Sequence, residues 1–154
     1  MNSLPDAPLF LLYVATTKVG GVLAAALEGT PFSVEDAVVL NQIDVLEPVT
    51  PSVLASRLGI APNTLTYRLR SLERRRLVLR RANPADGRSV LLALSAVGRR
   101  RWDRVRPAWL GAVRDLEAAL AIPREDVITA LRAVATAADT VAAAQSSRRA
   151  RTAR

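Results

Sequence analysis

Two short amphipathic segments joined by three residues constrain the fold of this chain more than any other feature. The first segment, "TPSVLASRLG", has Thr50 as a good N-terminal cap, Pro51 at the first helical position and Gly59 placed for a C-terminal cap. After the link "GIA", Pro62 stands at the start of a second helix, within residues 61–76. Two short helices at this spacing predict a helix-turn-helix.

The second helix combines one apolar stripe with an excess of positive charge. The side chains expected to face the core are Val53, Leu54 and Leu58 from the first helix and Leu65, Leu69 and Leu72 from the second. The rest of the second helix carries five arginines against one carboxylate, that of Glu73. A helix that packs on one side and concentrates like charge on the other suggests a surface for a polyanion.

Positive charge is concentrated in the middle of the chain. Residues 57–106 carry fourteen arginines against three carboxylates, a local net charge of +11 within a total of +8, whereas residues 1–56 carry one lysine against six carboxylates. A localised block of this kind is typical of a nucleic-acid-binding surface. The alternative is an arginine-rich face that only keeps the protein soluble.

The absence of Cys and His limits the chemistry of the chain. It excludes disulfides and thiol redox chemistry, argues against a zinc site and removes the commonest general base. An enzyme would depend on carboxylates, which do not group in the sequence, or on Lys18, the single lysine. We therefore expect no enzymatic activity, no cofactor and no metal.

The sequence predicts a cytoplasmic protein without a membrane partner. No uninterrupted apolar run reaches the ~18 residues of a membrane span. The N-terminus has an acid and no base before its first apolar patch, which is the wrong polarity for a signal peptide.

A β-hairpin is predicted directly after the helix-turn-helix. Residues 77–81 and 89–94 resemble strands, and the intervening "NPADG" has the Pro, Asp and Gly of a turn. Arg80, Arg81 and Arg88 cluster at its tip. A hairpin in this position completes a winged helix, so we predict a mainly α fold with a small β-hairpin wing.

Helices with one apolar side flank the predicted winged helix. Ser33 and Asp36 fit a capping box at the start of one helix, and Pro107 should kink or interrupt the long helix predicted over 96–120. The predicted organisation is a single domain over 1–147, with the winged helix at about 48–95, dimerisation helices at about 8–30 and 96–145, and a basic disordered tail at 148–154. Pairing with a second copy would bury the apolar sides of the outer helices.

The central segment resembles the MarR family of winged-helix regulators. "TPSVLASRLGIAPNTLTYRLRSLERRRLV" is similar to the family's helix-turn-helix and "NPADGRSVLLALSAVGR" to its wing. The matching wing positions are Asp86, Arg88, Leu94, Ser95, Gly98 and Arg99. Two positions depart from the pattern: Arg76 replaces the usual Gly after the recognition helix, which predicts strain or a different turn, and Pro107 lies in the fifth helix.

The resemblance implies a sequence-specific transcriptional regulator, expected to be a repressor, that binds double-stranded DNA as a homodimer on a pseudo-palindromic operator. The candidates for base edges are Asn63, Thr64, Thr66, Tyr67 and Arg68, and those for phosphates are Arg70, Arg74 and Arg75. Arg88 resembles the family's minor-groove arginine, with Asp86 as the residue that orients it. The alternative function is an architectural winged-helix protein that binds DNA without effector control.

The resemblance also suggests a small lipophilic or aromatic effector bound between the dimer helices and the winged helix. Tyr13, Lys18 and Trp102 are the candidates for its pocket, although a packing tyrosine, a surface lysine and a core tryptophan are equally simple interpretations. Other residues also have simpler interpretations: Arg68 as the partner of a local acid, Asp86 as a turn residue, and Arg99, Arg100 and Arg101 as a solvated helix face.

Overall fold

The structure, a computed structural model, describes the backbone of residues 7–152 and the side chains of residues 7–149. The described elements are α1 (Pro8–Ala25), α2 (Val34–Leu46), α3 (Pro51–Leu58), α4 (Pro62–Arg74), β1 (Val78–Ala82), β2 (Val90–Leu94), α5 (Ala96–Ala118) and α6 (Arg124–Thr152). The predicted mainly α fold with a hairpin wing is confirmed. The first six residues of the expected domain and the last two of the expected tail lie outside the described residues.

The chain divides into two compact units, Met1–Arg114 and Asp115–Arg154. The first unit contains α1 to α4, the hairpin and most of α5, and it holds the buried core of leucines, valines and two tryptophans. The second unit contains the end of α5 and all of α6. Every residue of the helix-turn-helix and of the wing therefore belongs to the first unit.

The helix caps are those that the sequence predicts. The Asp36 N–H donates to Oγ of Ser33 at 3.1 Å in a complete capping box at the start of α2. At the start of α3 the Val53 N–H donates to the Thr50 hydroxyl at 3.3 Å. Gly59 ends α3 in a left-handed conformation with φ of 62°, which favours glycine.

The two helices of the helix-turn-helix pack on the core largely as predicted. Leu54 is fully buried on α3, and Leu65, Leu69 and Leu72 form the buried stripe of α4. The prediction for Val53 is wrong, since its side chain is 54% exposed. Successive helical positions differ by 100° in direction, so the eight-residue α3 turns Val53 outward when it turns Leu54 inward.

The wing is an antiparallel pair whose register aligns Val78 with Leu94 and Ala82 with Val90. Val49 forms an isolated bridge to Leu92, with the Leu92 N–H donating to the Val49 carbonyl oxygen at 2.7 Å. The segment that leads into α3 is thereby joined to β2, so the wing is attached to the helix-turn-helix at its base.

The later helices are more continuous than the sequence suggests. α5 continues from Ala96 to Ala118 through Pro107, so of the predicted kink or interruption the interruption does not occur. α6 continues to Thr152, into the segment expected to be a disordered tail. A polar sequence can extend a helix that is already formed, because each added residue gains a backbone hydrogen bond without a new nucleation step.

Two of the described helices are long and apolar enough to cross a membrane by length and composition, Pro8–Ala25 and Arg124–Arg149, and neither window has a buried residue. The sequence prediction, which counted uninterrupted apolar runs, missed them because polar residues interrupt both helices: Thr16, Thr17 and Lys18 in the first, and Thr129, Arg132 and Asp139 in the second. The measure is weak evidence for a membrane, since any apolar helix left uncovered in a single chain passes it.

Candidate nucleic-acid interface

The outward face of α4 is one continuous stripe. The exposed residues opposite its buried leucines are Asn63, Tyr67, Arg70 and Arg74, spaced by four, three and four positions. Thr64 is exposed beside Asn63, and Tyr67 is 73% exposed. The N-terminal part of the stripe therefore offers an amide, a hydroxyl and a phenol, followed by two guanidinium groups. These are groups that read base edges and bind phosphates.

Thr66 and Arg75 are held by the protein itself. The Thr66 hydroxyl donates to the Pro62 carbonyl oxygen at 2.8 Å. Arg75 donates from Nη1 to Oδ2 of Asp36 at 2.5 Å and from Nη2 to the Pro31 carbonyl oxygen at 2.6 Å. These contacts argue against the predicted DNA contacts of both residues. Arg75 instead fixes the C-terminal end of α4 to the N-terminal end of α2.

Arg68 lies on the flank of α4 that faces α2, seven positions before Arg75. It is half-buried, and it forms no ion pair or hydrogen bond with another residue in the described part of the chain. Its charge acts on the nearby Glu35. The Glu35 backbone and the Ser33 side chain hold the pKa of the Glu35 carboxyl below its ordinary value, and the Arg68 guanidinium lowers that pKa further. Arg68 is therefore near the outward stripe but not part of it.

The tip of the wing is shaped by side-chain contacts to the backbone. Asn83 accepts from the Ala85 N–H at 3.0 Å and donates to the Ser89 hydroxyl at 2.7 Å. Oδ1 of Asp86 accepts from the Arg88 N–H at 3.0 Å, so Asp86 contacts the backbone of Arg88. The side chain of Arg88 is exposed. This geometry favours Asp86 as a turn residue that presents Arg88, without an ion pair between the two.

A second arginine of the wing is tied to the recognition helix. Nε of Arg80 donates to Oε1 of Glu73 at 2.6 Å. The acid that the sequence places among the α4 arginines thus joins α4 to β1. Arg81, the next residue on β1, is exposed and forms no ion pair within the described residues. The sequence predicts Arg81 at the tip but does not distinguish it as a DNA contact, because spacing alone does not show which of the three arginines has an internal partner.

Arg99 holds the start of α5 against the end of α2. Its guanidinium donates to Oδ1 of Asp44 at 3.0 Å and also to Oε1 of Glu47. The Glu47 carboxylate, followed by that of Asp44, raises the pKa of Arg99 above its ordinary value. Oε2 of Glu47 accepts from the Leu94 N–H at 2.8 Å. Arg99 is exposed to solvent, as the interpretation of a solvated face requires, but it also forms ion pairs that connect α5 to α2.

The three candidates for an effector pocket are not brought together. Tyr13 is 69% exposed on α1, and Lys18 is exposed on the same helix. Trp102 is fully buried, with its ring centroid 6.3 Å from that of Phe32 and 6.5 Å from that of Trp109. Trp102 is thus a core residue, as its spacing allowed.

A pocket of about 270 Å³ lies beside this aromatic cluster. Its lining residues are Gly29, Thr30, Pro31, Phe32, Arg101, Arg104 and Val105. Phe32 and Val105 give it an apolar wall. Neither of its two arginines has an ion-pair partner among residues 7–149.

Residues 32–90 match the model of the MarR family. The chain is therefore similar to the MarR family over this segment. The matched residues include α2, α3, α4, β1 and the first residue of β2, which are the elements that form the interface described above. No curated protein sequence matches the chain.

Solved structures of MarR-type regulators have the same fold. The M. tuberculosis transcriptional regulator MOSR in complex with DNA has a TM-score of 0.74 at 25% identity, with 88% of this chain and 98% of that chain covered. CouR from Rhodococcus jostii RHA1 bound to p-coumaroyl-CoA has a TM-score of 0.70 at 28% identity over 87% and 92%. A MarR-family transcriptional regulator from Rhodococcus sp. RHA1 has a TM-score of 0.68 at 28% identity over 88% and 96%.

Proposed function

We propose that this chain is a cytoplasmic transcriptional regulator, acting as a repressor, that binds a specific double-stranded DNA sequence. The observation that carries the proposal is one winged helix that exposes both the stripe of α4 and Arg88 of the wing, whose side chain has no ion-pair partner among the described residues. The stripe has the length and chemistry for a major groove, and an arginine at a hairpin tip suits an adjacent minor groove. The solved complexes of MOSR with DNA and of the repressor CouR with a 23-mer DNA duplex support it.

We further propose that residues 1–147 act as one MarR-like domain and form a homodimer on a pseudo-palindromic operator. Leu9 and Tyr13 on α1 are 70% and 69% exposed, and Leu131 and Val141 on α6 are 51% and 55% exposed. Apolar surface on two long helices favours a protein partner. A two-fold dimer would set two recognition helices about one DNA turn, ~34–36 Å, apart.

The pocket beside Phe32 is the proposed effector site. It joins an apolar wall to two guanidinium groups that have no acid partner, which suits a small lipophilic or aromatic ligand with negative charge. CouR bound to p-coumaroyl-CoA supports a ligand of this general kind. The buried Trp102 next to it contributes packing to the pocket's aromatic wall.

The test of the proposed function is to select genomic fragments that the protein binds and to footprint them. A regulator should protect one short two-fold repeat, whereas an architectural protein would protect DNA broadly. Arg88→Ala should weaken binding about tenfold or more, since a side chain that reads a groove contributes ~1–3 kcal/mol. Thermal melting of Arg88→Ala should match the wild type, because the exposed side chain packs on nothing. Broad protection, or unchanged affinity of a folded Arg88→Ala protein, would overturn the proposal.

A further inference from the structure

A second pocket lies inside the winged helix, between α2 and the helix-turn-helix. It has a volume of about 190 Å³ and is lined by Val34, Glu35, Val38, Val39, Leu58, Ile60 and Arg68. Five of these seven side chains are aliphatic. The pocket shares no lining residue with the one beside Phe32, so it is a separate site.

The two charged residues of the pocket differ in how strongly the protein already stabilises their charge. Glu35 is the second residue of the capped first turn of α2, where the backbone and the Ser33 side chain hold the pKa of its carboxyl below its ordinary value. Arg68 has no hydrogen-bond acceptor among the described side chains and carbonyl groups. The unused polar capacity of the pocket is therefore donor capacity on a guanidinium.

The net charge of the lining is zero, because Glu35 and Arg68 cancel. An anionic ligand would gain from Arg68 but would be repelled by Glu35, and it would lose hydration on entering an aliphatic pocket. A neutral group that accepts one hydrogen bond has neither cost. Glu35 is thus the residue that decides the charge of the ligand.

We propose that this pocket binds a small neutral lipophilic molecule that has a single carbonyl acceptor, such as a ketone, ester or lactone. The aliphatic side chains of α2, Leu58 and Ile60 would surround the hydrocarbon part, and Arg68 would donate to the carbonyl oxygen. At ~30 Å³ for a group the size of a water molecule, the pocket holds about six methylene-sized groups. Typical sites for drug-sized ligands are larger, at ~300–1,000 Å³.

The site has a consequence for regulation that rests on the proposed DNA binding. Arg68 extends from the recognition helix, one residue after the exposed Tyr67. A ligand that holds the Arg68 guanidinium over the pocket would remove a cation from the vicinity of DNA. Ligand binding and DNA binding should therefore oppose each other.

The direct test uses 2-alkanones from acetone to 2-octanone, titrated against the full chain without DNA and followed by saturation-transfer NMR. Affinity should rise about fourfold per methylene and level off once the pocket is full. The carboxylate of equal chain length should bind at least tenfold more weakly, and Glu35→Gln should narrow that difference, because it removes the repulsion but not the loss of hydration. Carboxylates that bind as well as ketones to the wild type would overturn the assigned ligand class.

Variants of one valine locate the site. Val38→Trp should abolish binding by filling the pocket, whereas Val45→Trp, on the same helix but 66% exposed and outside the lining, should bind like the wild type. Val38→Leu adds less volume and is easier to accommodate in the fold. With this variant, affinity should stop rising at a shorter ketone than it does with the wild type. Melting curves identify which variants are folded. Folded Val38→Trp and Val38→Leu proteins with wild-type binding would overturn the site.

A second experiment tests regulation by adding 2-pentanone, which fits the pocket, to the protein with a bound DNA fragment. The ketone should weaken DNA binding by the wild type and by Val45→Trp, and should leave Val38→Trp unaffected. Ketone binding without any change in DNA affinity would overturn the coupling through Arg68. Absence of specific DNA binding in every protein would instead contradict the proposed function, while the ligand titration without DNA would remain decisive for the pocket.

Discussion

Arg76 has a left-handed backbone conformation, with φ of 57°, immediately after α4. The Arg76 N–H donates to the Glu73 carbonyl oxygen at 2.8 Å, and the Leu77 N–H donates to the Leu72 carbonyl oxygen at 2.9 Å. This is the pair of bonds with which a glycine commonly ends a helix. The sequence suggested either a strained Arg76 or a different turn. The structure has the usual turn, with Arg76 in the strained left-handed conformation.

Replacement of Arg76 by glycine should stabilise the protein. Left-handed backbone costs a non-glycine residue ~1–2 kcal/mol, and the greater freedom of glycine in the unfolded chain offsets part of this, so Arg76→Gly should raise the free energy of unfolding by about 0.5–1 kcal/mol. Arg70→Gly, at an exposed position in the interior of α4, should lower it by about 1 kcal/mol. Urea denaturation measures both. A less stable Arg76→Gly protein would mean that the arginine side chain stabilises the turn.

The salt dependence of DNA binding should separate Arg70 from Arg75. Arg70 is exposed on the stripe, whereas Arg75 is bonded to Asp36 and Pro31. Arg70→Ala should lower affinity and reduce the slope of log K against log salt by about 1 per half-site. Arg75→Ala should lower affinity through a displaced α4 and leave the slope unchanged. If both variants reduce the salt slope equally, Arg75 also contacts a phosphate.

The junction between α4, the wing and α5 depends on a close approach of backbone to backbone. Ser95 begins α5, with its hydroxyl donating to the Arg76 carbonyl oxygen at 2.5 Å and accepting from the Gly98 N–H at 2.8 Å. A Cβ atom on Gly98 would lie 1.9 Å from the Leu77 carbonyl oxygen. The "LSAVGR" segment is thus explained physically: the serine caps α5, the glycine permits the contact and Arg99 pairs with α2.

Two glycines of α5 should respond in opposite ways to alanine. Gly98→Ala should destabilise the protein strongly, by more than the ~3 kcal/mol upper range of ordinary substitutions, because the carbonyl group that it meets is backbone and cannot rotate away. Gly111→Ala, on the same helix with no atom within 4 Å of the added Cβ, should stabilise it by about 0.5–1 kcal/mol. Thermal melting distinguishes the two. A Gly98→Ala protein as stable as the wild type would mean that α5 and the Leu77 backbone can move apart without loss of stability.

Elements and caps could be predicted from the sequence because their causes are local. Ser33, Thr50 and Gly59 act on backbone groups within three residues, and the leucine stripe of α4 follows helical period. The partners of the arginines could not be predicted, since Arg75 meets Asp36 across 39 positions and Arg99 meets Asp44 across 55. Spacing along a chain shows the face of a residue but not what another helix places opposite it.

The ion pairs show how much of the positive charge of the chain is neutralised within the protein. Of the fourteen arginines in residues 57–106, four are paired with carboxylates, namely Arg75, Arg80, Arg99 and Arg106, which leaves ten without an acid partner among the described residues. A merely soluble surface would not need so many uncompensated cations in one third of the chain. Their distribution over α4, the wing and α5 favours two anionic partners, DNA on the outward stripe and an effector beside Phe32.

The proposed dimer is best tested at Leu131 on α6. Its side chain is already 51% exposed in the single chain, so Leu131→Asp should not disturb the folding of one copy. In a dimer interface the carboxylate would be buried without a partner, at a cost of several kcal/mol that is enough to separate a moderate interface. Thr129→Asp, on the opposite side of the same helix, adds the same charge and should leave the dimer intact.

Sedimentation equilibrium should report a monomer for Leu131→Asp and a dimer for both Thr129→Asp and the wild type, with unchanged helix content by circular dichroism. DNA binding by the monomer should be weak, because one half-site has half of the phosphate contacts and no linked partner to hold it near the DNA. A Leu131→Asp protein that remains dimeric would exclude this stripe of α6 from the interface. Wild-type protein that is monomeric and floats with lipid vesicles would instead assign the exposed apolar helices to a bilayer.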